Sequence, residues 1–344
     1  MKKLKKTSGF IVIMCLACAF ILTIPNTVFA KNKIRLVVVG ANEGAPEIAT
    51  EQMALTMYWG ALDYRARTFH ALKGKYELKY ISTLFNSPNE CLTGVSTGAA
   101  EMTFSGPHYM EQLEPAWKVV EAPGVFDSWD HFMRTLNTPA WKALVEKMAE
   151  KKGIKILKWM MSAGNYYLYS KKPVNSLADL KGQKIRYPGG EGFAKSLKAM
   201  GATGISLPYT EVVTALQTNM IDGLLTDMFG AMYAYNLPRF TRYVTQLTWG
   251  IQPVNIVVNS KWWDSLPPKE RTAIKDVFDR IDTSAYFENA QAGITQGWVA
   301  NPKTDLIRLD PSEAKNWKDI MKKSSAGILK TVDPKLIQAI ESSR

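Results

Sequence analysis

The sequence predicts an α/β protein built from two related domains. Strand-like runs alternate with stretches of helical apolar spacing along most of the chain, which is the pattern of α/β architecture. The length of 344 residues corresponds to two domains on the usual scale of roughly 150 residues each. In addition, the stretch from Thr93 to Ser105 recurs in similar form at 214–226.

Local signals along the chain predict the individual elements. Short apolar or alternating runs that stop at a turn residue predict strands at 34–39, 76–81, 101–105, 154–160 and 184–187. Apolar residues at helical spacing predict helices at 46–72, 88–95, 141–152, 193–200 and 211–218, and a further one that opens at 265–268. Helix starts are marked by a capping box at Ser176-Leu-Ala-Asp179 and by the cap-proline pairs Asp310-Pro311 and Asp333-Pro334.

The repeated stretch has one pattern in both halves. Each copy predicts the end of a helix, a turn at Gly98 or Asn219, an acidic residue and then a strand. Glycine and asparagine are the residues that tolerate the left-handed conformation at a helix end. Chance similarity between two helix–turn–strand units is one interpretation, and a pair of related α/β domains is the other. In the second case Ser105 and Thr226 end equivalent strands, where open α/β sheets bind ligands, and they line a cleft between the domains.

Composition excludes several classes of protein. A chain with 46% hydrophobic and 11% aromatic residues can bury a core, so it is not disordered. The net charge of +12 raises nucleic-acid binding as a hypothesis. However, the lysines are dispersed beside acids, as in Glu150-Lys151-Lys152, so we expect no nucleic-acid partner. Three cysteines and three histidines, without ligand spacing, predict neither a disulfide framework nor a metal or other cofactor.

The first thirty residues have the pattern of a secretory signal peptide. Lysines precede an apolar run from Phe10 to Ile24, and small residues up to Ala30 indicate cleavage after that position. The run is shorter than the roughly 20 residues of a membrane span, and an uncleaved anchor is the alternative. Cleavage removes four lysines, which lowers the net charge from +12 to +8. We therefore expect an exported protein.

One motif indicates an enzyme but has the wrong context. Gly94-Val-Ser96-Thr-Gly98 matches the nucleophile elbow of serine hydrolases. That motif requires a strand, a sharp turn and then a helix, whereas the order predicted here is helix, turn, strand. An exported hydrolase that uses Ser96 with His108 or His131 is therefore a rival hypothesis, which Ser96→Ala tests through loss of esterase activity.

Arg186 is the candidate for anion binding. It lies at the end of the predicted strand 184–187, before the break Pro188-Gly-Gly190 and a helix. A guanidinium close to helix N-terminal amides suits a carboxylate or a sulfonate. A surface arginine paired with an acid such as Glu191 is the alternative.

Two long motifs resemble the TRAP transporter solute-binding proteins of the DctP type. They are Ser176-Leu-Ala-Asp-Leu-Lys-Gly-Gln-Lys-Ile-Arg-Tyr-Pro188 and Leu207-Pro-Tyr-Thr-Glu-Val-Val-Thr-Ala-Leu-Gln-Thr-Asn-Met-Ile-Asp-Gly223. The corresponding family patterns are DLKGxKIRVP and PxxEVYxALQTGxVDG. Supporting matches lie at 94–104 and 257–268.

The resemblance implies a two-lobed, periplasmic-binding-protein-like α/β fold, with a central ligand cleft and a long interdomain helix, that closes by a hinge. Lobe I is expected from 31–163 and about 250–289, and lobe II from 164–249 and about 290–344, after the signal peptide 1–30. It also implies a periplasmic protein that catalyses nothing and delivers a small-molecule ligand to the membrane subunits of a TRAP transporter. A monomer is the default expectation.

The resemblance further implies a set of ligand-binding residues. Arg186 falls on the arginine that pairs with the ligand carboxylate in the family. The other matched positions are Asn42, Ser105, Gly106, Tyr209 and Trp249. Many members have a second arginine where this chain has Tyr166, and an asparagine where it has Thr226.

These departures predict weaker recognition of dicarboxylates. A site with one arginine, Tyr166, Thr226 and Asp227 suits a small monoanion, a carboxylate or sulfonate, or a zwitterion. Aromatic side chains can also hold a quaternary ammonium by cation–π attraction. A receptor for a neutral or cationic amine-type solute, with Arg186 in a structural role, stays open as the alternative.

Overall fold

The structure, a computed structural model, describes residues 32–37, 70–81, 84–161, 166–227, 231, 237–247, 249–280 and 303–344. The predicted signal peptide, Asn42 and most of the helix predicted at 46–72 lie outside these residues. Within the described residues, no helix combines the length and the apolar character needed to cross a bilayer.

Two mixed β-sheets form the framework. The first has the strand order β2-β1-β3-β10-β4, and the second has the order β11-β9-β5-β8-β6-β7. The strands are β1 (Asn32–Val37), β2 (Tyr76–Ile81), β3 (Met102–Ser105), β4 (Ile154–Met161), β5 (Tyr166–Ser170), β6 (Lys184–Tyr187), β7 (Thr203–Ser206), β8 (Gly223–Asp227), β9 (Tyr243–Gln246), β10 (Pro253–Asn259) and β11 (Asp305–Ile307). Each sheet is the centre of one lobe, so the two-lobed α/β prediction is confirmed.

Helices cover both faces of each sheet. They are α1 (Pro88–Thr97), α2 (Pro107–Met110), α3 (Trp129–Leu136), α4 (Pro139–Lys152), α5 (Leu177–Leu180), α6 (Glu191–Ala199), α7 (Val212–Gln217), α8 (Ser260–Ser265), α9 (Pro268–Arg280), α10 (Pro311–Leu329) and α11 (Pro334–Ser342). Short 3₁₀ turns lie at Pro115–Val119, Tyr209–Glu211 and Leu237–Arg239. The capping box at Ser176 and the caps at Asp310 and Asp333 are confirmed.

Some boundaries differ from the predictions for local reasons. Helix α6 begins at Glu191, two residues before the predicted start, because Gly190 ends the preceding break in a left-handed conformation. Helix α7 begins at Val212 because the 3₁₀ turn Tyr209–Glu211 takes up the residues before it. Helix α4 begins at Pro139, a residue suited to the first helical position.

The two sheets have equivalent topology. In lobe I, β1 runs parallel to β2 and β3, and β10 runs antiparallel to β3 and β4. In lobe II, β6 runs parallel to β7 and β8, and β5 runs antiparallel to β8 and β9. The orders β2-β1-β3-β10-β4 and β7-β6-β8-β5-β9 therefore match strand for strand. This match favours related domains over chance similarity as the origin of the repeated stretch.

The repeated stretch occupies the same place in both lobes. It supplies the central strand β3 in one lobe and β8 in the other, each after a helix. The turns predicted at Gly98 and Asn219 have φ angles of 88° and 58°. Both residues therefore adopt the left-handed conformation that the sequence indicated.

The predicted lobe boundaries stay a prediction, with one difference at the C-terminus. The proposed crossings fall between β4 and β5 and between β9 and β10, where the chain passes from one sheet to the other. However, α11, expected in lobe II, packs on lobe I: Leu336 and Ile340 join its core, and Trp141 Nε1 donates to Leu336 O at 3.2 Å. The apolar face of α11 packs against α3 and α4. This contact joins elements far apart in the sequence, and the local sequence pattern does not specify it.

Helix α10 joins the cores of both lobes. Trp317 and Met321 lie in the lobe II core beside α6. About two turns further along the helix, Ile328 lies in the lobe I core. This helix matches the long interdomain helix that the family resemblance implied.

Two glycine substitutions should change stability in opposite directions. Gly98→Ala places a methyl group in open space, with Asn259 Nδ2 the nearest atom at 3.6 Å, but at a φ of 88°. Backbone strain should therefore lower the free energy of unfolding by about 1–2 kcal/mol. Gly327→Ala lies within α10, where only Lys195 Nζ comes within 3.9 Å, and should raise it by about 0.5–1 kcal/mol. Urea unfolding measures both free energies. If the two substitutions changed the free energy of unfolding in the same direction, the left-handed conformation of Gly98 or the helical conformation of Gly327 would be contradicted.

Candidate functional site

The segments that follow the carboxyl ends of β3 and β6 meet between the lobes. A Cβ added to Gly190 would lie 3.2 Å from Cβ of His108. The backbone N–H of Glu191 donates to Glu111 Oε2 at 3.1 Å, and Lys118 Nζ lies 3.0 Å from Glu191 Oε2. These contacts bring together the strand ends where α/β sheets bind ligands.

Arg186 is buried, with 2% of its surface exposed. Its neighbour Ile185 packs into the cluster beneath α6 and α10, so strand alternation turns Arg186 to the opposite face of the sheet, toward α7. There its Nε donates to Leu207 O at 2.9 Å. Among the described residues, no carboxylate lies within salt-bridge distance of this guanidinium.

The acid that could have neutralised Arg186 is engaged elsewhere. Glu191 lies 3.0 Å from Lys118 Nζ and 2.5 Å from Lys195 Nζ. The hydrogen bond from Lys195 is the main reason why the pKa of Glu191 is below its usual value. The alternative of a surface Arg186–Glu191 pair is therefore wrong, because Arg186 is buried and Glu191 pairs with lysines.

Strand β8 presents Thr226 and Asp227 on opposite faces. Leu224 packs on the α7 side of the sheet and Leu225 on the α6 and α10 side. Alternation therefore places Thr226 on the face of Arg186, and Asp227 on the other face, opposite Tyr166 of β5. Thr226 is 4% exposed.

Tyr166 packs against another ring, and it carries no positive charge that could replace the second arginine implied by the family resemblance. Its ring meets Phe193 edge-on, with centroids 5.0 Å apart. Burial, and then the nearby charges of Glu121 and Asp227, raise the pKa of Tyr166 well above its usual value, while Arg186 acts in the other direction. The phenol therefore stays protonated and is a hydrogen-bond donor at neutral pH.

Tyr209 and Trp249 connect the lobes. The half-buried ring of Tyr209 packs against core clusters of both lobes. Trp249, between β9 and β10, stacks on Phe193 with centroids 4.9 Å apart. Its Nε1 donates to the backbone oxygen of Glu121, on the lobe I side, at 3.2 Å. Both predicted site residues thus lie at the lobe contact.

Ser105 and Gly106 mark the end of β3. Ser105 is 5% exposed and lies opposite Asn255 of β10. Gly106 is the cap residue of α2. The same edge therefore brings Ser105 near the segment that meets lobe II, whereas Asn42 lies outside the described residues.

Sequence reasoning missed a hydrogen-bonded histidine–glutamate pair beside these residues. His108 Nδ1 lies 2.9 Å from both carboxylate oxygens of Glu121, and the two side chains are 10% and 7% exposed. The available signal was an acid within the apolar run Val119-Val120-Glu121-Ala122. Within the described residues, no group of three or more acidic, histidine or cysteine side chains could hold a metal ion.

Two lobes of equivalent topology that meet over buried polar side chains define the class of two-lobed solute receptors. The family model DctP, described as bacterial extracellular solute-binding protein, family 7, matches residues 53–330. The chain therefore belongs to this family, as its motifs indicated. The family is one of receptors rather than enzymes.

Named relatives agree with this assignment. The 2,3-diketo-L-gulonate-binding periplasmic protein YiaO of Escherichia coli (strain K12) is 28% identical over 204 residues, which are 59% of this chain and 61% of the relative. The chain thus spans about three fifths, 61%, of the length of this relative and of a protein from Haemophilus influenzae.

Solved structures share the fold. A TRAP periplasmic solute binding protein from Anaerococcus prevotii with bound D-glucuronate has a TM-score of 0.78 and 22% identity, over 91% of this chain and 98% of that one. One from Shewanella oneidensis with bound succinate has a TM-score of 0.77 and 23% identity, over 91% and 99%.

Glu111→Gln should stabilise the protein near neutral pH. Burial raises the pKa of Glu111 above its ordinary 4.5. The folded state therefore holds the proton more tightly than the unfolded state, and stability falls as pH rises from the ordinary pKa toward the raised one. Glutamine does not titrate, so it does not suffer this loss of stability. The gain in unfolding free energy of Glu111→Gln over the unmodified protein should therefore be absent below pH 4.5 and grow above it.

Urea unfolding over this pH range measures the effect. Glu150→Gln, on the exposed side of α4, is the matched control and should show no pH-dependent gain. If the difference in unfolding free energy between Glu111→Gln and the unmodified protein did not change with pH, the interpretation would be contradicted.

Proposed function

We propose that this protein is a periplasmic receptor that captures a small organic anion, a carboxylate or sulfonate, and delivers it to a TRAP-type transporter. The observation that carries the proposal is the buried Arg186 guanidinium, which has no carboxylate partner among the described residues. Burying an unpaired charge is costly, so the folded protein favours an anion that completes the pair. The relatives named for binding sugar acids and succinate support the same class of ligand.

The proposed site includes the residues that the lobes bring together. Arg186 and Thr226 share one face of the lobe II sheet, Tyr166 and Asp227 lie on the other, and Tyr209 bridges the lobes. The remaining proposed ligand-binding residues are Asn42, Ser105, Gly106 and Trp249.

Closure of the lobes would strengthen the recognition. An anion held by Arg186 between closed lobes is removed from water, and a lower effective dielectric makes the charged hydrogen bond stronger and more sensitive to geometry. With Arg186 as the one arginine placed at the site among the described residues, and with Tyr166 packed against Phe193 where the family resemblance implied a second, the site favours a single anionic group. Hinge closure is a common way for such receptors to retain ligand.

The rival hypotheses find less support. A neutral or amine-type ligand requires a structural role for Arg186, whose hydrogen-bond partner among the described residues is a single backbone oxygen, Leu207 O. The hydrolase hypothesis requires Ser96 at a strand–helix turn, but Ser96 lies inside α1 and donates to Lys152 O at 2.6 Å.

Location, processing and assembly are part of the proposal. A signal peptide cleaved after Ala30 would release the receptor into the periplasm, where the monomer would meet the membrane subunits of its transporter. No nucleic-acid partner and no cofactor enter this function.

Arg186→Ala should weaken binding of an organic anion roughly 100-fold or more, because one partner of a buried charge pair is lost. The ligand is first selected by thermal shift from acids, sulfonates, amino acids and amines, and its affinity is then measured by calorimetry. Arg186→Lys should recover part of the loss, since it keeps the charge but not the planar fork. Arg239→Ala, an exposed arginine, is the control and should bind normally. Unchanged affinity in Arg186→Ala would overturn the role of this residue.

A further inference from the structure

We propose that the ligand carries a hydrogen-bond donor, a hydroxyl or an ammonium, beside its anionic group, and that Glu121, held by His108, accepts it. The inference rests on the proposed function, because it adds a second contact to the site of Arg186. It makes Glu121 the residue that selects among small acids.

Glu121 is an acid buried beside a site for anions. Its side chain is 7% exposed, and it directly follows the 3₁₀ turn and Val120 at the lobe contact. A carboxylate there repels the ligand anion and also costs free energy to bury. A partner on the ligand that donates to Glu121 offsets both effects.

A chain of contacts ties Glu121 to the ligand side of lobe II. Its backbone oxygen accepts from Trp249 Nε1 at 3.2 Å, Trp249 stacks on Phe193, and Phe193 meets the ring of Tyr166. On the other side, a Cβ added to Gly192 of α6 would lie 3.1 Å from the same oxygen. The backbone of Glu121 is therefore held at the lobe contact, and the hydrogen bond from His108 Nδ1 orients its carboxylate.

The carboxylate keeps acceptor capacity after pairing with His108. Nδ1 of His108 is 2.9 Å from both oxygens, so one ring nitrogen supplies the hydrogen bond to the pair. A carboxylate has about four lone-pair positions, and one N–H satisfies only part of them. Among the described residues, His108 is the one hydrogen-bond donor seen at this carboxylate.

Arg186 and Glu121 form two poles on opposite sides of the lobe contact. His108, the partner of Glu121, lies beside Gly190, which follows Arg186 by four residues: a Cβ added to Gly190 would lie 3.2 Å from Cβ of His108. A ligand with an anion at one end and a donor at the other matches both poles. A ligand with the anion alone leaves the buried carboxylate facing an apolar group, and the resulting penalty is a source of discrimination.

The test compares acids that share a skeleton. Each triad has a parent acid, its hydroxy acid and its amino acid: propanoate, lactate and alanine; succinate, malate and aspartate. Hexanoate and gluconate extend the series to a longer chain. Calorimetry on the unmodified protein should show a hydroxy or amino acid that binds at least about tenfold tighter than its parent. Comparison of the hydroxy acid with the amino acid in each triad shows whether the donor is a hydroxyl or an ammonium.

Glu121→Gln should then lose this preference by roughly 10- to 100-fold while affinity for the parent acid is unchanged or higher. Arg186→Lys should weaken all members of a triad alike, and Glu150→Gln is the control for the chemical change. Circular dichroism and thermal unfolding check that each variant is folded. If Glu121→Gln does not fold, the comparison on the unmodified protein still decides whether the ligand needs a donor, and equal affinities within each triad overturn the proposal.

The outcomes separate this inference from the proposed function. Binding of acids through Arg186 without preference for the hydroxy or amino member overturns the role of Glu121 and leaves the anion receptor intact. An equal loss for all members in Glu121→Gln also overturns it, because a structural role has that effect. If no acid of the series binds, both proposals fail.

Discussion

The site depends on one interaction, the hydrogen bond from Arg186 to the backbone oxygen of Leu207. It fixes a guanidinium inside the lobe II sheet by way of a main-chain acceptor, which orients the charge without neutralising it. A carboxylate in place of that oxygen would have neutralised the side chain and left little attraction for a ligand. Glu191, the acid that follows Arg186 most closely in the sequence, is engaged by Lys118 and Lys195. The charge that the fold leaves unmatched is the property on which the proposed recognition relies.

The equivalent topology of the lobes explains where this charge is placed. Strands β3 and β8 hold the same position in their sheets, and both end at the contact between the lobes. The two ends carry different groups. Lobe II contributes the cation at Arg186, and lobe I contributes the carboxylate of Glu121 with its partner His108. Two lobes with the same strand order thus place a cation on one side and a hydrogen-bond acceptor on the other, which suits a ligand with two different ends.

Local features of the fold could be predicted from the sequence, and non-local ones could not. Gly98 and Asn219 were predictable as left-handed turns because the conformation depends on the residue itself. The position of Arg186 at a strand end before a break and a helix was predictable because these three features are contiguous in the sequence. In contrast, the docking of α11 on lobe I and the pairing of His108 with Glu121 depend on which surfaces meet after folding. No periodicity or cap signal encodes such a choice.

Helix α10 also limits how the lobes can move. Trp317 packs in one core and Ile328 in the other. The helix therefore cannot slide along its axis without exposing at least one of these side chains. Sliding of one lobe past the other along this axis would cost the burial of both side chains, whereas bending of α10 keeps both in place. An open and a closed receptor related by such a bend would differ mainly in one angle, which a distance between a label on each lobe would report.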